Sequence, residues 1–211
     1  MSIDLYYELG SPPCAAVYMT AKAIGLKVNI IEMDLMAGDH LKPEFLAINP
    51  QHCVPTIVDN GNAIWESRPI MIYLVEKYGK EDSEYLYPKD PTKRALINQR
   101  MFFDVGTFYQ KALDYYLMPV FSKTQKKEED YNKLEEVTGF LNTFLNNQTY
   151  AAGETLTLAD ISLFASAMCV YVCGFNLTKY PNVYKWFEHM GKVVPGADEN
   201  KKAGEILKTF L

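Results

Sequence analysis

Apolar and polar positions follow two different periods along this chain, and the period changes once. Residues 3 to 8 read as a short strand rich in Ile, Leu and Tyr, and the breaker cluster Gly10-Ser11-Pro12-Pro13 follows it. A helical stretch then runs from about Cys14 to Ile24 and stops at Gly25. Val28 to Met33 reads as a second strand, so the opening of the chain predicts a βαβ unit, whose parallel strands need a crossover of this length. Thr56 to Asp59 and Ala63 to Trp65 flank Asn60-Gly61-Asn62, where Asn-Gly supplies the positive φ angles of a tight hairpin turn. A helix from Ser67 to about Tyr78 ends at Gly79.

Residues 79 to 92 are polar and carry Pro88 and Pro91, the composition of a connection between domains. From Lys93 onward only helical periodicity remains, in long segments such as Lys93 to Phe121 and Glu129 to Asn146. Strands alternating with helices, then helices alone, predict an α/β domain over residues 1–80, a linker over 81–92 and an all-α domain over 93–211. Thr157-Leu158-Ala159-Asp160 fits a capping box with Asp in the place of Glu or Gln, and Leu156 is placed to staple to Ile161. That box predicts the start of an apolar core helix and carries no chemistry.

Composition narrows the function classes. The chain has 211 residues, 48% of them hydrophobic and 22% charged, which describes an ordinary globular protein rather than a disordered or fibrous one. Its 26 acidic and 21 basic residues give a net charge of −5, and no run of Lys or Arg exceeds two, so a nucleic-acid partner is not expected. Counted by halves, residues 1 to 90 are net −6 and residues 91 to 211 net +1. The longest uncharged run, Ile161 to Thr178, is interrupted by Ser162, Ser166, Gly174, Asn176 and Thr178, so a buried helix is expected there and a membrane span is not. Met1 to Asp4 carries no basic region and no apolar stretch of signal length precedes Glu8, which predicts a cytoplasmic protein starting near Met1. Cys169 and Cys173 are four apart on one helical face and read as packed, reduced thiols.

Three constellations could carry chemistry. In Gly10-Ser11-Pro12-Pro13-Cys14 a strand delivers the chain to a helix N-terminus, where free N–H groups and the helix dipole stabilise an anion or thiolate. Cys14 could itself be the thiol, or Ser11 could donate its hydroxyl to the thiolate of a ligand. In Asn49-Pro50-Gln51-His52-Cys53-Val54-Pro55, a proline directly before a strand suits an edge position or a cis peptide that leaves the Val54 backbone free to pair with an extended, peptide-like ligand. His52 could donate to a carboxylate there, while neither His52 with Cys53 nor His40 has the spacing of a metal set. In Trp65-Glu66-Ser67-Arg68-Pro69, Ser67 reads as the N-cap of another helix. Glu66 beside that positive helix end makes a matched site for a zwitterionic amino-acid end.

The motifs GSPPC (10 to 14), MTAKAIG (19 to 25), HLKPEFLAINPQHCVPT (40 to 56), VDNGNAIWESR (58 to 68), YLVEKYGK (73 to 80), INQRMFFD (97 to 104) and LTLADIS (156 to 162) resemble the cytosolic glutathione transferases, most closely their insect delta class. The resemblance covers essentially the whole chain. It implies a thioredoxin-like N-terminal domain followed by an all-α domain, conjugation of reduced glutathione to hydrophobic electrophiles, a homodimer, and no metal or other cofactor, glutathione being a cosubstrate. It makes Ser11 the residue that hydrogen-bonds the glutathione sulfur. It sets the glutathione along Cys53, Val54 and Pro55, with His40 and His52 near its glycine end and Glu66, Ser67 and Arg68 at its γ-glutamyl end, joined by Asp104 from the partner subunit. The matching electrophile-pocket positions are Pro13, Leu35, Tyr109, Ala112, Leu117, Val120 and Phe121. Ala15, Ala112 and Leu117 depart from the class, which predicts a wider or reshaped pocket. A redox enzyme acting through Cys14 and a non-catalytic binder of ligands are the rival readings.

Overall fold

The computed structural model describes residues 3–210. The expected start at Met1, and the outermost ends of both expected domains, lie outside the described residues. Strand β1 (Ile3–Tyr7) buries Ile3, Leu5 and Tyr7 and turns its other residues to the opposite face, as a period of two dictates. It leads into α1 (Pro12–Ala23), which begins at the two prolines read from sequence as a breaker. Proline is tolerated there because N–H groups of the first turn have no intrahelical partner. At the far end Gly25, at φ 68°, donates to Lys22 C=O at 3.0 Å while Leu26 donates to Ala21 C=O at 2.8 Å, the paired bonds of a Schellman stop.

Strand β2 (Val28–Glu32) pairs parallel to β1, confirming the crossover, and the short helix α2 (Pro43–Leu46) follows. β3 (Thr56–Asp59) and β4 (Asn62–Trp65) form the expected hairpin, with Asn60 at φ 50° and Gly61 at φ 82°. The sheet order is β2-β1-β3-β4, so β3 is interior and the edge position considered for Pro55 does not hold; the Val54–Pro55 bond is cis, the other option. Helix α3 (Ser67–Tyr78) packs against α1 and the sheet. Asp59 at the end of β3 accepts from Tyr73, Lys77 and Tyr78 of this helix. Burial alone would raise its carboxyl, yet those three donors hold it at about 2.

The rest is helical. α4 (Pro91–Phe103), α5 (Tyr109–Ala112) and α6 (Met118–Phe121) follow one another along the segment expected as a single helix, separated by π-helical turns at Asp104–Phe108 and Leu113–Leu117. Pro119 cannot donate to the carbonyl one turn back, which favours the wider second turn. α7 (Glu128–Phe144), α8 (Leu158–Val172), α9 (Pro181–Val193) and α10 (Ala197–Lys208) complete the chain. Thr157 and Asp160 meet at the start of α8, where Asp160 accepts from the Thr157 N–H and hydroxyl at 3.0 and 2.9 Å. The same carboxylate accepts from Ala151 N–H and Trp186 Nε1, so it also fastens α9 to the preceding loop. α8 is the central helix, buried from Leu158 through Val170, and α1 packs on it. One continuous apolar core therefore spans both halves. Among the described residues, no helix is long and apolar enough to cross a membrane.

Candidate active site

The β1–α1 junction places Ser11 as the N-cap of α1, in extended conformation, its Oγ accepting a long 3.4 Å bond from Cys14 N–H. A hydroxyl that accepts there still has its own hydrogen to donate. Gly10, at φ 96°, lets the chain turn, and a Cβ on it would lie 3.3 Å from Ile206 Cγ2 and from the Leu207 N of α10. The serine is partly open to a cleft of about 190 Å³. Cys14 is different: fully buried, its thiol is pushed up to about 12 by burial, so it has neither the access nor the acidity of an attacking thiolate. Tyr7 is also buried, and burial raises its phenol.

The cleft lies where four segments of the chain converge. Glu8, Gly10, Ser11 and Pro12 form one wall, Leu35 and Met36 a second, and Tyr109, Leu113, Leu117 and Phe121 a third, with Leu207 and Phe210 closing it. Of the expected electrophile-pocket positions, Leu35, Tyr109, Leu117 and Phe121 are brought together. Pro13 is not: its neighbour Pro12 lines the cleft instead. Ala112 is fully buried in the core and Val120 is exposed away from the cleft. Ala15 is buried within α1, so of the three departures only Leu117 reaches the cleft.

The loop before β3 is held by Asn49, which is fully buried. Its amide donates to Cys53 C=O at 3.0 Å, to Thr56 Oγ1 at 2.9 Å and more weakly to Cys53 Sγ at 3.4 Å. Its carbonyl accepts from Gln51 N–H at 2.9 Å. Thus fixed, the loop presents half-buried Cys53 and Val54, buried Pro55, and an exposed His52 at φ 46°. Neither the N–H nor the C=O of Val54 has a hydrogen-bond partner among the described residues. The rings of His40 and His52 lie 5.9 Å apart, and the buried Nδ1 of His40 has no partner.

At the start of α3 the structure corrects two expectations. The cap position belongs to Glu66, exposed at φ 70°, and Ser67 is the first helical residue. The Ser67 hydroxyl accepts from Arg68 Nη1 at 2.8 Å, while Arg68 Nε donates to Ser162 of α8 at 3.0 Å and Nη2 pairs with Asp104 Oδ2. Ser162 donates to the same carboxylate oxygen. Asp104, expected from a partner subunit, therefore meets Arg68 within its own chain, fully buried, with Oδ1 lacking a partner. The first π turn starts at Asp104. Arg68 also stands 6.0 Å from the ring of Tyr109, linking this buried centre to the cleft wall. Ser162, Asn49, Leu207 and Phe210 were not singled out from sequence. Both Asn49 and Ser162 lay inside recognised motifs, but nothing in LTLADIS linked Ser162 to Arg68. Among the described residues no group of three or more His, Cys, Asp or Glu is placed to hold a metal ion.

Comparison with known proteins agrees with this fold. The family model for the N-terminal domain of glutathione S-transferases matches residues 1–76, and that for the C-terminal domain matches residues 108–192. The solved structure of the Bombyx mori glutathione transferase BmGSTD1 is 41% identical, superposes with a TM-score of 0.95, and covers 100% of this chain and 98% of that one. A delta-class glutathione transferase of Nilaparvata lugens is 42% identical at a TM-score of 0.93, covering 99% and 100% of the two chains. The glutathione transferase E6 of Drosophila melanogaster is 37% identical at 0.91, covering 99% and 95%.

Proposed function

The chain belongs to the glutathione S-transferase family, and from that premise we propose that Ser11 activates glutathione for attack on apolar electrophiles, in the detoxifying conjugation its relatives perform. The observation that carries the role of Ser11 is its placement: a hydroxyl at a helix N-terminus, facing a cleft whose other walls are mainly apolar. A free thiol with pKa of about 8.5 is only a few per cent ionised at neutral pH, and lowering it by about 2 units needs roughly 2.7 kcal/mol. One hydrogen bond to a charged sulfur supplies about 1.5 to 3 kcal/mol, and the α1 dipole adds to it. The glutathione proton leaves to solvent, the sulfur bonds to the electrophilic carbon, and the leaving group departs with its electron pair. No metal or second cofactor is required.

Glutathione extends along Val54-Pro55 in this reading, the free Val54 backbone pairing with it, His52 and His40 near its glycine end and Cys53 beside it. Its γ-glutamyl end meets Glu66, Ser67 and the N-terminus of α3, while Arg68 and Asp104 hold Ser67 from beneath rather than touching ligand. Leu35, Tyr109, Leu117 and Phe121 form the electrophile wall. Residues 1–80 serve as the glutathione-binding domain, 81–92 as linker and 93–211 as the helical domain, in a cytoplasmic homodimer. Replacing Ser11 with Ala should lower kcat/KM for conjugation by about 10- to 150-fold, the rate equivalent of about 1.5 to 3 kcal/mol. An unchanged rate and pH profile would remove Ser11 from the reaction.

A further inference from the structure

The cleft beside Ser11 contains one feature that apolar electrophile binding does not use. Its lining includes no Lys, Arg or His, and beside Ser11 its ionisable groups are Glu8 and Tyr109. Glu8 directly follows β1 and is half-buried, and its carbonyl accepts from Ser11 N–H at 3.3 Å, so it is tied to the residue proposed to hold the sulfur. We propose that Glu8 is a specificity-determining residue, its carboxylate excluding organic anions from the electrophile cleft while neutral and cationic electrophiles enter. The proposal rests on the reading of this cleft as the electrophile site.

The physical basis is a charge against low-dielectric walls. Leu35, Met36, Leu113, Leu117, Leu207 and Phe210 line the cleft and screen poorly, so a second anion entering it would be repelled more strongly than in water. The groups facing Glu8 deepen this bias. Asp34, from the segment after β2, adds a second negative charge. Tyr7 from β1, Cys14 from α1 and Tyr109 from α5 have their ionisation suppressed by burial, so they stay neutral and add no charge of either sign. Burial, then Asp34, pushes the Glu8 carboxyl up to about 7. It is therefore neutral below that pH and charged above it, so exclusion should switch on as pH rises.

The test compares two aryl chlorides in steady-state conjugation by the full chain, neutral chlorodinitrobenzene and chloronitrobenzoate, whose carboxylate is ionised throughout the pH range. Thiolate formation is common to both reactions and cancels in the ratio of their kcat/KM values. In the native protein the anionic-to-neutral ratio should fall about tenfold between about pH 6 and pH 8. In Glu8→Gln it should stay flat at the low-pH value, and in Glu8→Asp, which keeps a carboxylate, the fall should persist. A quaternary-ammonium analogue should show the opposite trend in the native protein. Identical ratios in the native protein and Glu8→Gln at every pH would overturn the proposal, as would loss of the pH dependence in Glu8→Asp. Ser11→Ala reports separately on the thiolate: it should slow both chlorides alike and leave their ratio unchanged.

Discussion

Ser11 opens helix α1 and Ser67 opens helix α3, and both helix starts read from sequence as anion pockets. In the fold their hydroxyls have different occupations. Ser11 is partly open to the cleft and makes only a 3.4 Å contact with Cys14 N–H, so its hydrogen is available to a ligand. Ser67 is 3% exposed and its oxygen is already taken by Arg68, whose guanidinium also reaches Ser162 and Asp104. The difference teaches that a serine at a helix N-terminus is read by its exposure: Ser11 opens on the cleft, while Ser67 sits beneath the surface against Arg68. Arg68, the next residue, makes the contact to Ser67, and Ser162 of α8 with Asp104 after α4 holds its guanidinium in place, which a local motif does not contain.

The sharpest way to break the comparison is at the buried centre. Asp104→Ala leaves Arg68 charged, buried and unpaired, and should destabilise the protein by about 3 to 5 kcal/mol, read as a lowered urea midpoint. If the loss is below about 1 kcal/mol, the pair is not holding the two halves together. Next comes Ser67→Ala, which removes one acceptor from Arg68 and should cost about 1 to 2 kcal/mol while raising KM for glutathione more than it lowers kcat. A drop in kcat at constant KM would make Ser67 resemble Ser11 and erase the contrast. The smallest effect is expected at Cys14: Cys14→Ala should keep conjugation within about threefold of native, because its buried thiol takes no part in the chemistry. Loss of activity there, without loss of fold, would revive the redox reading.

Much of the fold was legible because breakers stand where the chain turns. Gly25, Asn60-Gly61 and Gly79 punctuate the first half, and observed element ends fall within two residues of those expected. The prolines at 12 and 13 misled by the same logic, since a residue that stops a helix internally also starts one. The π turns at Asp104–Phe108 and Leu113–Leu117 were hidden, because one extra residue in a turn barely alters an apolar period. Leu117, at the end of the second, lines the cleft, while Ala112 before it and Val120 after it do not. In the candidate site, residues carried by contiguous motifs stand at the helix starts and loop where the sequence sets them, as at Ser11, His52 and Glu66. Contacts made across distance along the chain were missed: Ser162, inside a quoted motif, pairs with Arg68, 94 residues away, and Leu207 and Phe210 arrive at the cleft from the last helix and the residues after it.

The proposed chemistry depends on Ser11 holding a thiolate. Titrating the ultraviolet absorbance of glutathione bound to the native protein and to Ser11→Ala measures this without an electrophile. The bound thiol should ionise about 1 to 2 pH units lower in the native protein than in the variant, the equivalent of about 1.4 to 2.7 kcal/mol. Superimposable titrations, with glutathione bound to both proteins, would contradict it.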